Sequence, residues 1–146
     1  MIAYRNSQTG YLIIALLVIG IIATLASTTL ETIGLGHYLA LLLLIMALVM
    51  FYKLTVVVER GVIVCAFGQG VFSKTIRVRE IAGCRVVRVP WYYGWGIRLT
   101  PAGWMYNIAG SEAVEITYKS GKKFLIGSNE AESLREAIED EMKKYP

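Results

Sequence analysis

Chemistry-bearing side chains are scarce in this chain: it has one histidine, His37, one aspartate, Asp140, and two cysteines, Cys65 and Cys84. That inventory cannot supply a Ser, His and acid set for nucleophilic catalysis, and no cluster has metal-ligand spacing. The cysteines fall in strand-like stretches without Cys-x-x-Cys spacing, so they read as small buried apolar residues rather than redox or metal groups. Gly68-x-Gly70 and Gly94-x-Gly96 lack the third glycine and the strand-to-helix setting of a dinucleotide site. Glu112 and Glu115 read as solvent-facing strand neighbours, not a catalytic pair. The expectation is a non-enzymatic protein without cofactor, metal or small-molecule substrate. Nucleic acid is disfavoured too, for want of a recognition helix.

Charge is missing from two long stretches, Tyr11 to Leu30 and Ile33 to Tyr52. At ~1.5 Å of rise per residue, twenty helical residues cover the ~30 Å hydrocarbon core of a bilayer, so both runs are expected to be transmembrane helices. A cleaved signal peptide is the rival for the first, with Arg5 as its basic start and Thr24-Leu25-Ala26 as a poor cleavage site. Phe51-Tyr52-Lys53 resembles a headgroup anchor, and the short link through Glu31-Thr32 implies an antiparallel hairpin. Arg5, Lys53 and Arg60 flank the runs while the link holds only Glu31 and His37. The positive-inside rule therefore places both termini in the cytoplasm of a bacterial inner membrane. Polar residues in the runs are confined to Thr24, Ser27, Thr28, Thr29 and His37, which argues against a channel or transporter. Ala23 and Ser27, four apart, would let helices approach closely, within the hairpin or between copies.

After Lys53 the periodicity turns strand-like. Leu54 to Glu59 and Val62 to Phe67 flank a tight Arg60-Gly61 turn, and further strands are expected at Thr75 to Val78, Cys84 to Val89, Ile97 to Leu99 and Trp104 to Ile108. Ala113 to Tyr118 and Lys122 to Ile126 flank Ser120-Gly121 as a hairpin. Leu134, Ile138, Met142 and Tyr145 then recur at helical spacing, with glutamates on the other face. Asn129 and Glu132 have the spacing of a capping box, and Lys143 and Lys144 suit the C-terminal end of a helix.

About seven antiparallel strands followed by one amphipathic helix can pack as a partly open barrel plugged by the helix. The segments Tyr93-Gly94-Trp95-Gly96-Ile97-Arg98, Gly103-Trp104, Ala113-Val114-Glu115-Ile116 and Gly121-Lys122-Lys123-Phe124-Leu125-Ile126-Gly127 are similar to small bacterial membrane proteins that carry a pleckstrin-homology-like domain after two spans. The resemblance implies an all-β pleckstrin-homology-like fold over residues 54–146, with a helix at about 129–145. An N-terminal tail and transmembrane hairpin would occupy residues 1–53, with spans at about 11–30 and 33–52. It says little about function.

Eleven Lys or Arg against four Glu lie between Lys53 and Ser128, whereas Asn129 to Pro146 carries three against six acids. Lys74, Arg77, Arg79, Arg85, Arg88 and Arg98 are therefore candidate contacts for an anionic lipid or acidic partner. The alternative is that they are ordinary solvated strand residues. Lys74-Thr75-Ile76-Arg77-Val78-Arg79 is also similar to the phosphoinositide-binding pattern of eukaryotic pleckstrin-homology domains. It falls on the third expected strand, however, and Glu59-Arg60-Gly61 alone is too short a turn to cradle a phosphate. Trp91, Tyr92, Tyr93 and Trp95 could lie at a bilayer interface, form a partner-binding hot spot or fold back into the core. The function expected is a membrane-anchored binding or assembly module for a protein partner or copies of itself, acting through confinement at a surface. The alternative is recognition of anionic lipid headgroups by the basic strands.

Overall fold

The computed structural model describes residues 2–29 and 33–146, and the Glu31-Thr32 link lies outside them. Strand β1 (Ile2–Thr9) leads into helix α1 (Tyr11–Ala26); α2 (Leu35–Phe51) returns and feeds straight into β2 (Lys53–Glu59). There follow β3 (Val62–Phe67), β4 (Phe72–Arg77), β5 (Ile81–Arg88), β6 (Gly96–Thr100), β7 (Gly103–Asn107), β8 (Glu112–Tyr118), β9 (Lys123–Gly127) and α3 (Ala131–Lys144).

The strands form two sheets, β1-β2-β3-β4 and β5-β8-β9-β7-β6, rather than one partly open barrel of about seven strands. Two features depart from an all-antiparallel barrel. First, β7 runs parallel to β9, with Trp104 opposite Phe124 and Tyr106 opposite Ile126. Second, residues expected only as a tail form β1, paired with β2 from Ile2 opposite Glu59 to Thr9 opposite Lys53. Strand β1 carries no apolar alternation because polar side chains seat it. Tyr4 donates to Glu130, Asn6 to Asn129 Oδ1 at 2.7 Å, and Gln8 to the Gly127 carbonyl at 2.9 Å, while Gln8 Oε1 accepts from the Asn129 amide at 3.1 Å. The same contacts replace the expected capping box. Helix α3 has no side-chain cap bond, and Asn129 is engaged by β1 instead.

The main core lies between the sheets. Leu54, Val56 and Val58 of β2 and Ile63, Cys65 and Phe67 of β3 meet Val114, Ile116, Phe124 and Ile126 of the second sheet. Leu134 and Ile138 of α3 are fully buried against it, the helix packing mainly on β5 and β8. Strands β8 and β9 are buried at successive positions, Ala113 to Ile116 and Phe124 to Gly127, because their other face is covered as well. There Met105, Ala113 and Leu125 form a smaller cluster with Val89, closed by Tyr93.

The two N-terminal helices require a correction. They have 16 and 17 residues, so each is roughly 24 to 26 Å long at 1.5 Å per residue, short of the ~30 Å of hydrocarbon. Among the described residues, no helix is long and apolar enough to cross a membrane. The expected transmembrane hairpin loses its basis, and with it the multi-pass inner-membrane location with cytoplasmic termini. Runs that looked twenty residues long are cut short, because α1 ends at Ala26 and α2 begins only at Leu35.

Candidate functional site: an apolar hairpin and the clefts around the sheet

Helices α1 and α2 pack on each other, with Leu44 seated against Gly20, where an added Cβ would lie 3.5 Å away. Neither helix buries a single residue. Leu16, Ile19, Ile22, Leu42, Leu43 and Met46 are among the large apolar side chains left in the open. The hydroxyls are used within α1 and its end: Thr24 donates to Gly20 O and Thr28 to Thr24 O, each at 2.8 Å.

The hairpin is fixed firmly to the sheet. The Gly10 amide donates to Tyr52 O at 2.9 Å, closing its base. Phe51 meets Phe67 edge-on, with centroids 5.3 Å apart, and stacks on Phe72 at 5.8 Å. Gly68, at φ +57, lies so close to the last turn of α2 that a Cβ there would be 2.6 Å from Met50 O. Beside this joint is a cleft of about 510 Å³ between Leu16 and Leu17 of α1, Ala47 and Phe51 of α2, and the segment from Gly94 to Arg98.

The four candidate aromatics divide. Trp91 and Tyr92 are 85% and 68% exposed. Tyr93 closes the smaller core cluster, and half-buried Trp95 walls the cleft beside the hairpin. The rings of Trp91, Tyr92 and Tyr93 meet edge to face in succession, at 6.0 and 5.2 Å.

The candidate cations do not form one face. Lys74 lines an opening of about 400 Å³ with Phe72, Ile97, Trp104 and Tyr106, between the edge strand β4 and the β6-β7 hairpin. Arg77 and Arg79 line a second cleft, of about 230 Å³, with Arg60 and Tyr145, at the end of β2 opposite the hairpin. Arg77 also lies 3.9 Å from Glu80. Strand pairing explains this cleft: Val62 opposes Arg77, which brings the Arg60-Gly61 turn alongside the end of β4. Sequence reasoning missed Arg60 and Tyr145 there, since neither belongs to the Lys74 to Arg79 run. Arg88 is exposed opposite Glu112, and Arg98 donates from Nε to the Trp95 carbonyl at 3.1 Å.

Arg85 has a structural partner. Its Nε lies 2.9 Å from Glu115 Oε1, and Lys123 Nζ reaches the same oxygen at 3.2 Å. Glu115 is therefore not solvent-facing, being only 4% exposed. Burial pushes its carboxyl up, but the bonds and charges of Arg85 and Lys123 outweigh that and hold it below the usual carboxylate range. Glu141 departs from the exposed acidic face of α3 in the same way. Buried, it accepts the Gly61 amide at 2.8 Å and Lys144 at 3.1 Å, which together outweigh burial and lower its pKa. Burial raises the thiols, Cys65 to about 12 and Cys84, more weakly buried and near Glu139, to about 11.

Among the described residues no three His, Cys, Asp or Glu side chains gather as a metal-holding group. No family model matches the chain, and no curated protein matches it. The likeness to bacterial pleckstrin-homology-like membrane proteins is thus unsupported by any family match, and the two-sheet architecture with its short helices departs from what that likeness implied.

Proposed function

We propose that the chain is a non-enzymatic binding and assembly module, in which the two-sheet body holds out the apolar hairpin to a protein partner or to another copy of the chain. The observation that carries this reading is that neither helix of the hairpin buries a residue, although both are apolar on all sides. Contiguous exposed apolar patches beyond a few hundred Å² are rare on monomeric proteins and mark interaction surfaces. Helices apolar all round belong in apolar surroundings. The closed base at Gly10 and Tyr52 and the Phe51 contacts support presentation of the hairpin as a rigid unit. Exposed Trp91 and Tyr92 add side chains of the type enriched in binding hot spots.

The test is a pair of charge substitutions, Leu42→Glu and Leu43→Glu, in the full-length chain. Both side chains are exposed, so the sheets should keep their circular dichroism and melting temperature. The wild type is expected to sediment as an oligomer or with a bound protein, and the double variant as a single chain. A wild type that stays a single free chain across concentrations contradicts the proposal.

A second reading, recognition of an anionic group, is favoured by one observation: Arg60, Arg77 and Arg79 line one cleft beside Tyr145. Guanidinium groups suit phosphate and carboxylate because they offer forked donors. Salt separates the readings. Anion attachment at these open arginines should weaken steeply with ionic strength, while a docked apolar hairpin should persist.

A further inference from the structure

We infer that the cleft at the base of the hairpin binds a single-chain amphiphile with an anionic head, the chain lying along the helices and the head on Arg98. The cleft has about 510 Å³ of space, within the ~300–1,000 Å³ usual for small-molecule sites, which are mostly apolar with a few placed polar groups. Leu16, Ala47, Phe51, Trp95 and Ile97 make its walls hydrocarbon and aromatic, and Arg98 supplies the one charged side chain.

Two features hold that cation ready. Its Nε donates to the Trp95 carbonyl, which fixes the plane of the guanidinium and leaves its other N–H groups for a ligand. The Gly94 backbone lies beneath it: a Cβ at this position, φ +73, would be 3.6 Å from Nε and 3.8 Å from an outer nitrogen. No acid pairs with Arg98 among the described residues, unlike Arg77, Arg85 and Arg135, which all have carboxylate neighbours. A carboxylate or phosphate head meets this forked donor, and an alkyl tail matches the apolar walls that follow. A short hydrophilic anion would leave those walls in water, and an uncharged chain would leave Arg98 unpaired. The inference does not rest on the hairpin's protein partner, because the cleft lies on the side of the hairpin facing β6.

The test uses the full-length chain with Trp91→Phe and Trp104→Phe, so that Trp95 alone reports, in one neutral non-ionic dispersant throughout. Quenching of Trp95 by 12-bromododecanoate is expected to saturate. Arg98→Ala should weaken binding about tenfold or more, as loss of a charge-assisted bond does. Ala47→Leu, which narrows the cleft without touching charge, should weaken it as well. Dodecanoate and dodecyl phosphate should both displace the probe, the lower displacing concentration identifying the preferred head. Non-saturating quenching, equal binding of 12-bromododecanol, indifference to Arg98→Ala, or displacement by inorganic phosphate alone would each overturn the inference.

Discussion

Glu115 is the residue where strand position and chemistry part company. Its place in an alternating strand predicts exposure, but the sheet is covered on both faces, so the carboxylate is buried and survives as an ion only because Arg85 and Lys123 share one of its oxygens. Its folded pKa lies below the usual carboxylate range. The stability it contributes is therefore present above about pH 4.5 and lost as pH falls through the lower folded value. Glu115→Gln should cost about 1–2 kcal/mol at pH 7, discounted because Arg85 is largely and Lys123 partly exposed. Urea denaturation at decreasing pH should show the gap between wild type and variant closing. A gap of equal size at neutral and strongly acid pH would exclude this role. The sequence could not reveal the pair, since Arg85 and Lys123 converge on Glu115 only through the β5-β8 and β8-β9 registers.

At the scale of elements, legibility followed apolar pattern. Strands β2 and β3 alternate cleanly and the tight Arg60-Gly61 turn joins them, so Leu54 to Glu59 and Val62 to Phe67 could be read within a residue of the observed strands. The stripe through Leu134 and Ile138 marked α3 for the same reason. Strand β1 escaped because Tyr4, Asn6 and Gln8 hold it by hydrogen bonds to the β9-α3 junction, and hydrogen bonding leaves no period in hydropathy. The helices failed differently: composition gave two long apolar runs, but their ends depend on local backbone, and each helix stops short of its run. The joint between hairpin and sheet should be sensitive to bulk. Gly68→Ala puts a methyl 2.6 Å from Met50 O at a positive φ, which should cost about 1–3 kcal/mol. Thermal melting that leaves the midpoint unchanged would show that the joint yields freely.

For the whole molecule, the division of labour is between a body that buries its apolar surface and a hairpin that does not. The sheets and α3 enclose a continuous core from Leu54 to Ile138, whereas Leu42, Leu43 and Met46 stand in the open on a rigidly seated α2. The apolar composition of the hairpin was legible in the sequence; what was not legible was its length or the clefts beside it. Arg98 and Arg77 both read as members of one basic strand surface. The fold instead places them in separate clefts, one at the hairpin and one at the opposite end of β2. Those placements come from sheet order, which no local pattern encodes.

The most direct test of the central claim, that another protein surface covers the hairpin, is the reactivity of a thiol placed on it. Leu42→Cys and, as an exposed reference, Ser120→Cys can be labelled with a water-soluble maleimide in freshly lysed cells without detergent. The native thiols, raised to about 12 and 11, should contribute little signal. Labelling at position 42 about tenfold or more slower than at position 120 is predicted, as for a site open a tenth of the time or less, with the difference abolished by Leu43→Glu and Met46→Glu. Equal rates at the two positions would contradict the claim.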